Sequence, residues 1–173
     1  HRTIGMPAAS KAFLDRLGPR VTWTSAATPV SGRIGITGAI RRRNDFEDVG
    51  GPLFLDPECT KPDTIPDDQA LWIETKRGIV VVLGCAHAGV VNTLDQIREH
   101  LGERRFRAVI GGLHLLHAGP ERMDKTVAEL RRLEVKRLLP CHCTGFAALA
   151  RFWNEFPERC AACPVGTVVE VLE

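Results

Sequence analysis

Residues 67–94 read DDQALWIETKRGIVVVLGCAHAGVVNTL, and this stretch decides the fold class. Two apolar runs, QALWIETK and GIVVVLG, meet at Arg77-Gly78, which predicts a β-hairpin. The second run is continuously aliphatic, as is typical of a strand buried on both faces. It continues through Cys85 and His87 into VVNTLDQIREHLG, whose apolar spacing predicts an amphipathic helix.

The same order of strand, loop and helix then occurs twice more. FRAVIGG leads through LHLLH into ERMDKTVAELRRL, and VKRLLP leads through CHCTG into FAALARFWNEF. Buried strands alternating with amphipathic helices predict an α/β fold in which helices cover a sheet. In such sheets, the loops after the carboxyl ends of the strands converge on the ligand site. Each of the three loops carries a histidine, namely His87, His114 and His142.

The rest of the chain is less regular. An amphipathic helix is predicted over residues 8–17 and an alternating strand over residues 20–26. Residues 28–68 are rich in Gly, Pro and Asp, which predicts short strands joined by long loops. Asp68 is interpreted as part of the turn before the hairpin, and residues 166–172 as a closing strand.

The composition predicts one globular domain over residues 1–173, with 44% hydrophobic and 25% charged residues. A net charge of +2 gives no reason to expect nucleic acid, and the basic run at residues 39–44 is interpreted as a solvated turn or rim. We expect no membrane span, because no apolar window is long enough. Residues 1–10 lack the pattern of a signal peptide, and His1 is interpreted as a terminal residue.

The six cysteines do not have the spacing of a disulfide framework. Cys141 and Cys143 are only two residues apart, and Cys85 ends an apolar strand. We therefore expect a reduced, cytoplasmic protein with thiols that are buried or part of a site. The CAAC at residues 160–163 has the spacing of a redox or zinc half-site, but no matching second half-site is present, which favours structural thiols.

The histidines are candidates for a metal site, because neutral imidazole is a common zinc ligand. We predict that His87 and His142 bind the metal and that His114 is a polar group facing the substrate. Neighbouring side chains of an extended strand point to opposite faces, so Cys141 and Cys143 are predicted to point away from His142.

Five segments together resemble one known family; they are GITGAIRRRNDFE (35–47), DDQALWIETKRGIVVVLGCAHAGVVNTL (67–94), GGLHLL (111–116), LLPCHCTG (138–145) and VGTVVEV (165–171). They resemble the metallo-β-lactamase superfamily, and within it the branch similar to 7,8-dihydropterin-6-yl-methyl-4-(β-D-ribofuranosyl)aminobenzene 5′-phosphate synthase. The resemblance implies an αββα sandwich with one or two metal ions at its edge. Zinc is the first expectation, with manganese or iron as alternatives.

The resemblance also implies roles for residues. His87 and His142 match metal ligands of the family, and His114 lies beside the substrate pocket, where it would hydrogen-bond or protonate a departing group. Cys85, Asn92 and Thr144 lie in the same motifs and are predicted to contact the substrate. The function implied is that of a metal-dependent hydrolase or phosphate-ester-processing enzyme acting on a small molecule, with a phosphorylated substrate as the expectation.

The family's H-x-H-x-D-H motif has no counterpart in residues 1–60, so the chain resembles the C-terminal half of the fold and part of its middle. Three interpretations remain open: a fragment, one subunit of a split enzyme, or a diverged protein without metal. An alternative function is a non-catalytic binding or assembly module with a structural thiol or zinc site. In that case the chain alone is inactive, and a partner chain or self-association covers the missing half.

Overall fold

A computed structural model describes residues 4–170, so the interpretation of His1 lies outside the described residues. The helices are α1 (Ala8–Leu17), α2 (Val90–Leu101), α3 (Pro120–Arg132) and α4 (Phe146–Glu155), with short 3-10 turns at Gly18–Arg20 and His142–Thr144. The strands are β1 (Thr28–Ser31), β2 (Ile34–Ile36), β3 (Ala70–Thr75), β4 (Gly78–Leu83), β5 (Phe106–Gly112) and β6 (Leu138–Cys141).

All six strands form one mixed sheet in the order β1-β2-β3-β4-β5-β6. The pairs β1–β2, β2–β3 and β3–β4 are antiparallel, and the pairs β4–β5 and β5–β6 are parallel. Parallel neighbours need a crossover connection, and α2 and α3 provide the two that are required. The predicted α/β fold, with its hairpin and three strand–loop–helix units, is confirmed.

One face of the sheet carries the hydrophobic core. Alternate residues of β4 point into the same cluster as apolar side chains from α2, α3 and α4; its members include Ile79, Val81, Leu83, Leu94, Ile97, Val127, Leu130 and Phe152. All of these are less than a tenth exposed. Burying an aliphatic or aromatic side chain contributes about 1.5–3 kcal/mol, so this face supplies most of the stability of the fold.

The opposite face is apolar but only partly covered. Leu71, Val82, Ile110 and Leu139 are successive partners across β3, β4, β5 and β6 and therefore form one row. Val82 in the middle of this row is 37% exposed, and its neighbours Leu71 and Ile110 are half-buried. Helices α2, α3 and α4 thus pack on one face of the sheet, and the opposite apolar face stays partly exposed in the described residues.

The helices differ in how they are anchored. Helix α1 has no buried residue, and Phe13 on it is 53% exposed, so α1 contributes little to the core. Among residues 4–170, no helix is both long enough and apolar enough to cross a bilayer.

The strand predicted over residues 20–26 is wrong. Ser25 and Ala26 form a bend, and the first strand begins only at Thr28. The hydroxyl of Thr24 donates to the carbonyl of Ala26 at 2.9 Å, and Thr28 binds the same carbonyl at 2.8 Å. Such local side-chain bonds compete with the ladder of a sheet, which explains why the alternating pattern does not become a strand.

The closing strand predicted over residues 166–172 is also wrong, because residues 166–170 form no strand. The last two residues of that prediction lie outside the described residues. Val165 and Val168 are almost fully exposed. The outer edge of β6 is already occupied, because Leu138 N donates to Arg159 O at 2.7 Å and Ala161 N donates to Leu138 O at 3.0 Å.

Candidate functional site

The three histidine loops share an unusual backbone feature directly after their strands. Ala86 after β4, His114 after β5 and His142 after β6 have φ angles of 57°, 49° and 51°. Residues other than glycine rarely occupy this left-handed region, and when they do they mark sharp turns and functional sites. Each loop therefore turns at the carboxyl edge of the sheet, where the sequence places its histidine.

One cluster at this edge joins the first loop to the third. The Sγ atom of Cys85 lies 3.1 Å from Nε2 of His142, and Cys143 Sγ donates to Cys85 O at 3.4 Å. The ligand atoms of Cys85, His142 and Cys143 all lie within 4.8 Å of one another. We call these three residues the thiol–imidazole cluster.

The prediction that Cys143 points away from His142 is wrong. It assumed an extended chain, whereas β6 ends at Cys141 and His142–Thr144 form a 3-10 turn. This turn and the left-handed His142 bring the side chains of residues 142 and 143 to the same side. Cys141 lies outside the cluster; burial raises the pKa of its thiol, and the nearby Cys163 raises it further.

Cys85, Cys141, Cys143, Cys160 and Cys163 are not in disulfide bonds. Within the CAAC segment, Cys160 is buried and forms a bridge to Leu138, and burial raises the pKa of its thiol to about 11. Cys163 lies in neither the thiol–imidazole cluster nor any other described group of metal-ligand residues. This placement fits the interpretation of Cys160 and Cys163 as structural thiols.

A second pair of residues joins the first and second loops. The rings of His87 and His114 lie with their centroids 4.1 Å apart. His87 Nδ1 donates to Val49 O at 3.1 Å, an arrangement that leaves the lone pair of Nε2 free for a metal ion. Outer-sphere carbonyls orient ligating histidines in the same way, so His87 has the chemistry of a metal ligand.

The ring of His114 has a hydrogen-bond partner at only one of its two nitrogens. Its Nε2 atom contacts Gly50 O at 3.3 Å, while its Nδ1 atom is buried and has no partner. Burial, followed by the nearby His87, lowers the pKa of His114 below its ordinary value. His114 is therefore a neutral imidazole at neutral pH, with one ring nitrogen still to be satisfied.

The structure groups the predicted residues differently from the sequence. It brings His142 together with Cys85 and Cys143, and His87 together with His114. The backbone of His114 hydrogen-bonds to the thiol of Cys143, whereas the cluster of close metal-ligand atoms in residues 4–170 does not include His87. The roles of His87 and His142 as metal ligands and of His114 in catalysis stay predictions.

Asn92 and Thr144 lie inside the protein, where their polar atoms already have partners. The Oδ1 atom of Asn92 accepts from Arg43 N at 2.9 Å, and its Nδ2 atom donates to Ala88 O at 2.8 Å. The Oγ1 atom of Thr144 accepts from Leu113 N at 3.1 Å. Both side chains support the loops around the site, and their predicted contact with substrate stays a prediction.

Arg42 and Glu47, whose roles were not apparent from the sequence, hold the loop before the hairpin against the site. Arg42 donates to His87 O at 2.6 Å and to Thr64 O at 3.1 Å. This corrects the interpretation of residues 39–44 as a solvated rim, because the segment is bonded to the first histidine loop. The local sequence around Arg42 does not indicate these contacts, since His87 and Thr64 lie 45 and 22 residues away in the sequence.

Glu47 is 5% exposed, and its carboxylate accepts from Val91 N at 2.8 Å and Asn92 N at 2.9 Å. It therefore caps the first turn of α2 from a distant loop. Burial raises the pKa of Glu47 above its ordinary value, against the hydrogen bonds, which lower it.

We expect Glu47→Ala to lower the free energy of unfolding by about 2 kcal/mol, because two buried N–H donors lose their acceptor. Urea unfolding followed by circular dichroism would measure this. Glu58→Ala is the matched control, since Glu58 is exposed and should change stability by less than about 0.5 kcal/mol. Equal midpoints for the two variants would contradict the capping role.

Two known proteins are similar to this chain, one in sequence and one in structure. A 7,8-dihydropterin-6-methyl-4-(β-D-ribofuranosyl)-aminobenzene-5′-phosphate synthase of Methanocaldococcus jannaschii is 36% identical over 108 residues, 62% of this chain and 37% of that protein. The crystal structure of a metal-dependent hydrolase of the β-lactamase superfamily superposes with a TM-score of 0.78 and 31% identity, over 87% of this chain and 58% of that one. The resemblance to the metallo-β-lactamase superfamily is confirmed.

The metallo-β-lactamase-like match has a limited span. An uncharacterized protein of Methanocaldococcus jannaschii is 28% identical over 116 residues, which cover 67% of this chain and 42% of that protein. The chain thus spans less than half the length of the curated relatives it matches. No protein-family model matches the chain.

Proposed function

We propose that this metallo-β-lactamase-like chain contributes to a metal-dependent enzyme that processes a phosphorylated small molecule. The observation that carries the proposal is the meeting of three histidine loops at one sheet edge, with Cys85 in contact with His142 and His87 in contact with His114. The synthase relative, whose name specifies a 5′-phosphate product, supports a phosphorylated substrate. The hydrolase neighbour supports a metal ion.

The donor set fits a metal ion of the zinc type. Imidazole and thiol groups are its preferred ligands, and His87 has a free Nε2 atom. When bound, such an ion acts as a Lewis acid towards phosphoryl oxygen. Manganese in place of zinc would favour oxygen ligands. Asp68, which interacts electrostatically with His87, is a candidate, although its Oδ2 atom already accepts from Ala88 N at 2.7 Å.

The residues of the chain would then have separate roles in the reaction. His87 and His142 hold the metal, and the carbonyl of Val49 keeps the ring of His87 in place. Because His114 Nε2 faces the Gly50 carbonyl and carries the proton of the neutral ring, the unpartnered Nδ1 atom would accept a hydrogen bond or a proton from a hydroxyl group of the substrate or from water. Because Cys85, Cys141, Cys143, Cys160 and Cys163 are not in disulfide bonds, we place this activity in a reducing compartment, the cytoplasm.

The proposal is tested by metal-dependent hydrolysis of p-nitrophenyl phosphate and related phosphate diesters, measured with the whole chain after loading with zinc or manganese. We expect His87→Ala and His142→Ala to lower both metal content and kcat by at least about 100-fold, and His114→Ala to lower kcat with metal retained. His117→Ala is the control, because His117 is exposed. Activity that is equal in all four variants, or that needs no metal, would overturn the proposal.

A specific observation favours the second candidate, an assembly module or split-enzyme subunit. The row of Leu71, Val82, Ile110 and Leu139 leaves an apolar sheet face partly open, and exposed apolar faces commonly mark interaction sites. In this case the chain would be inactive alone and would self-associate or bind a partner chain. Sedimentation equilibrium of the wild-type chain and of Val82→Glu tests self-association through this face. We expect the wild-type chain to associate and Val82→Glu to be a monomer, and a monomer in both cases excludes self-association.

A further inference from the structure

We propose that Cys85, His142 and Cys143 form a three-ligand site for one thiophilic divalent cation, with zinc as the class representative. The inference deepens the proposed function by naming the ligands, and it rests on that function only for the expectation that metal binds at this sheet edge. It adds the thiols of Cys85 and Cys143 to the imidazole of His142, and His87, which lies outside the cluster, keeps the role proposed above.

The distances of the thiol–imidazole cluster are close to those of a coordination sphere. Zinc binds sulfur at about 2.3 Å and nitrogen at about 2.0 Å, so ligand atoms in a tetrahedral site lie roughly 3.5–3.8 Å apart. Here the Cys85 Sγ to His142 Nε2 distance is 3.1 Å, and all three ligand atoms lie within 4.8 Å. Side-chain adjustments of about an ångström would bring them to a common ion, with no rearrangement of the loops.

The scaffold makes room for this cluster. A Cβ atom at Gly112 would lie 2.7 Å from Cys143 Sγ and 3.2 Å from Cys85 Cα, so the glycine at the end of β5 leaves the space that the thiols use. The third loop is fixed from the second, because Leu115 N and Leu116 N both donate to Cys143 O at 3.2 Å and 3.1 Å. A ligand set held on loops tied together in this way is preorganised, which lowers the entropic cost of binding.

The chemistry of the donors selects the ion. Thiol ligands favour zinc and cadmium over magnesium and manganese, which prefer oxygen. On binding, each thiol gives up its proton to solvent, so one cation displaces two protons and the two thiolates neutralise its charge. Three protein ligands leave one tetrahedral position unfilled, and since His142 is exposed this position faces solvent.

The test is a titration of the whole reduced chain with Co²⁺, which reports thiolate ligation by a sulfur-to-metal charge-transfer band in the near ultraviolet. We expect one equivalent to give this band. Cys85→Ser, Cys143→Ser and His142→Ala should each weaken Co²⁺ binding by more than about 100-fold, beyond the 10- to 100-fold effect of losing an outer-sphere partner. Zinc should displace the cobalt, and magnesium should not.

Two variants serve as matched controls. Cys163→Ser removes a half-buried thiol outside the cluster, and His117→Ala removes an exposed imidazole outside the cluster; both should keep the band and the affinity. Thermal unfolding of every apo-variant separates ligand loss from misfolding. If Cys143→Ser does not fold, the half-buried Cys85 still provides the test.

The proposal is overturned if the wild-type chain gives no thiolate band, if Cys163→Ser abolishes it, or if a disulfide between Cys85 and Cys143 is the stable state under reducing buffer. It is equally overturned if His117→Ala removes the ion as completely as Cys85→Ser does. Zinc-dependent hydrolysis that survives in Cys85→Ser and Cys143→Ser would keep the proposed function and remove this site alone. A thiolate band without any turnover would keep this metal site and remove the proposed function.

Discussion

Gly112→Ala is expected to lower the free energy of unfolding by about 3 kcal/mol, at the upper end of the range for overpacking. The added Cβ atom would lie 2.5 Å from Gly84 O, a backbone atom that cannot rotate away, and 2.7 Å from Cys143 Sγ. The same collision would push Cys143 away from Cys85. We therefore expect the variant to lose the cobalt charge-transfer band along with its stability, as measured by urea unfolding and by Co²⁺ titration.

Gly84→Ala is the matched control at the neighbouring strand end. A Cβ atom there meets nothing within 4 Å, and the backbone is not left-handed, so both the unfolding midpoint and the cobalt band should stay close to those of the wild type. If Gly112→Ala and Gly84→Ala behave alike, the close packing between β5 and the two cysteine loops is not what holds the cluster together.

Phe152→Ala is expected to lower the free energy of unfolding by about 3–5 kcal/mol, as is typical for truncation of a fully buried aromatic side chain. Phe152 has no exposed surface and lies in the core cluster, where its ring packs beside Phe156 with centroids 6.2 Å apart. Because α4 follows the loop of His142, loosening this helix should also weaken the cluster. Chemical denaturation measures the first effect and Co²⁺ affinity the second.

Phe146→Ala tests the same helix from its other side. Phe146 is 76% exposed, so its truncation should change stability by less than about 0.5 kcal/mol. An equal loss of stability in the two variants would mean that α4 is not anchored through Phe152.

The regular part of the fold could be predicted because local patterns decide it. The alternating and continuous apolar runs around β3 and β4, and the apolar spacing of α2, carry their own burial pattern, and the structure agrees with them. The strands expected at residues 20–26 and 166–172 failed because a strand also needs a partner edge. Thr24 satisfies its own backbone neighbours, and the edge of β6 is occupied by residues that follow α4.

The site was predictable only in its residue types. The ends of β4, β5 and β6 correctly located the histidine loops, since strand order follows from the crossover helices. The partnership of each side chain could not be inferred, because it depends on single backbone angles such as the positive φ of His142, which turns Cys143 towards the imidazole. The contacts of Arg42 and Glu47 with α2 and its preceding loop join segments distant in the sequence, and no local pattern encodes them.

The left-handed backbone at Ala86, His114 and His142 also affects which substitutions these positions tolerate in evolution. Each such residue holds a conformation that disfavours an L-side chain by about 1 kcal/mol or more, and glycine would relieve that strain. Replacement of His114 or His142 by glycine would therefore remove a functional group while leaving the folded state no harder to reach. Since cellular proteases and chaperones recognise unfolded chains, a copy that lost its site in this way would persist at normal abundance. Only selection for the chemistry itself would remove it.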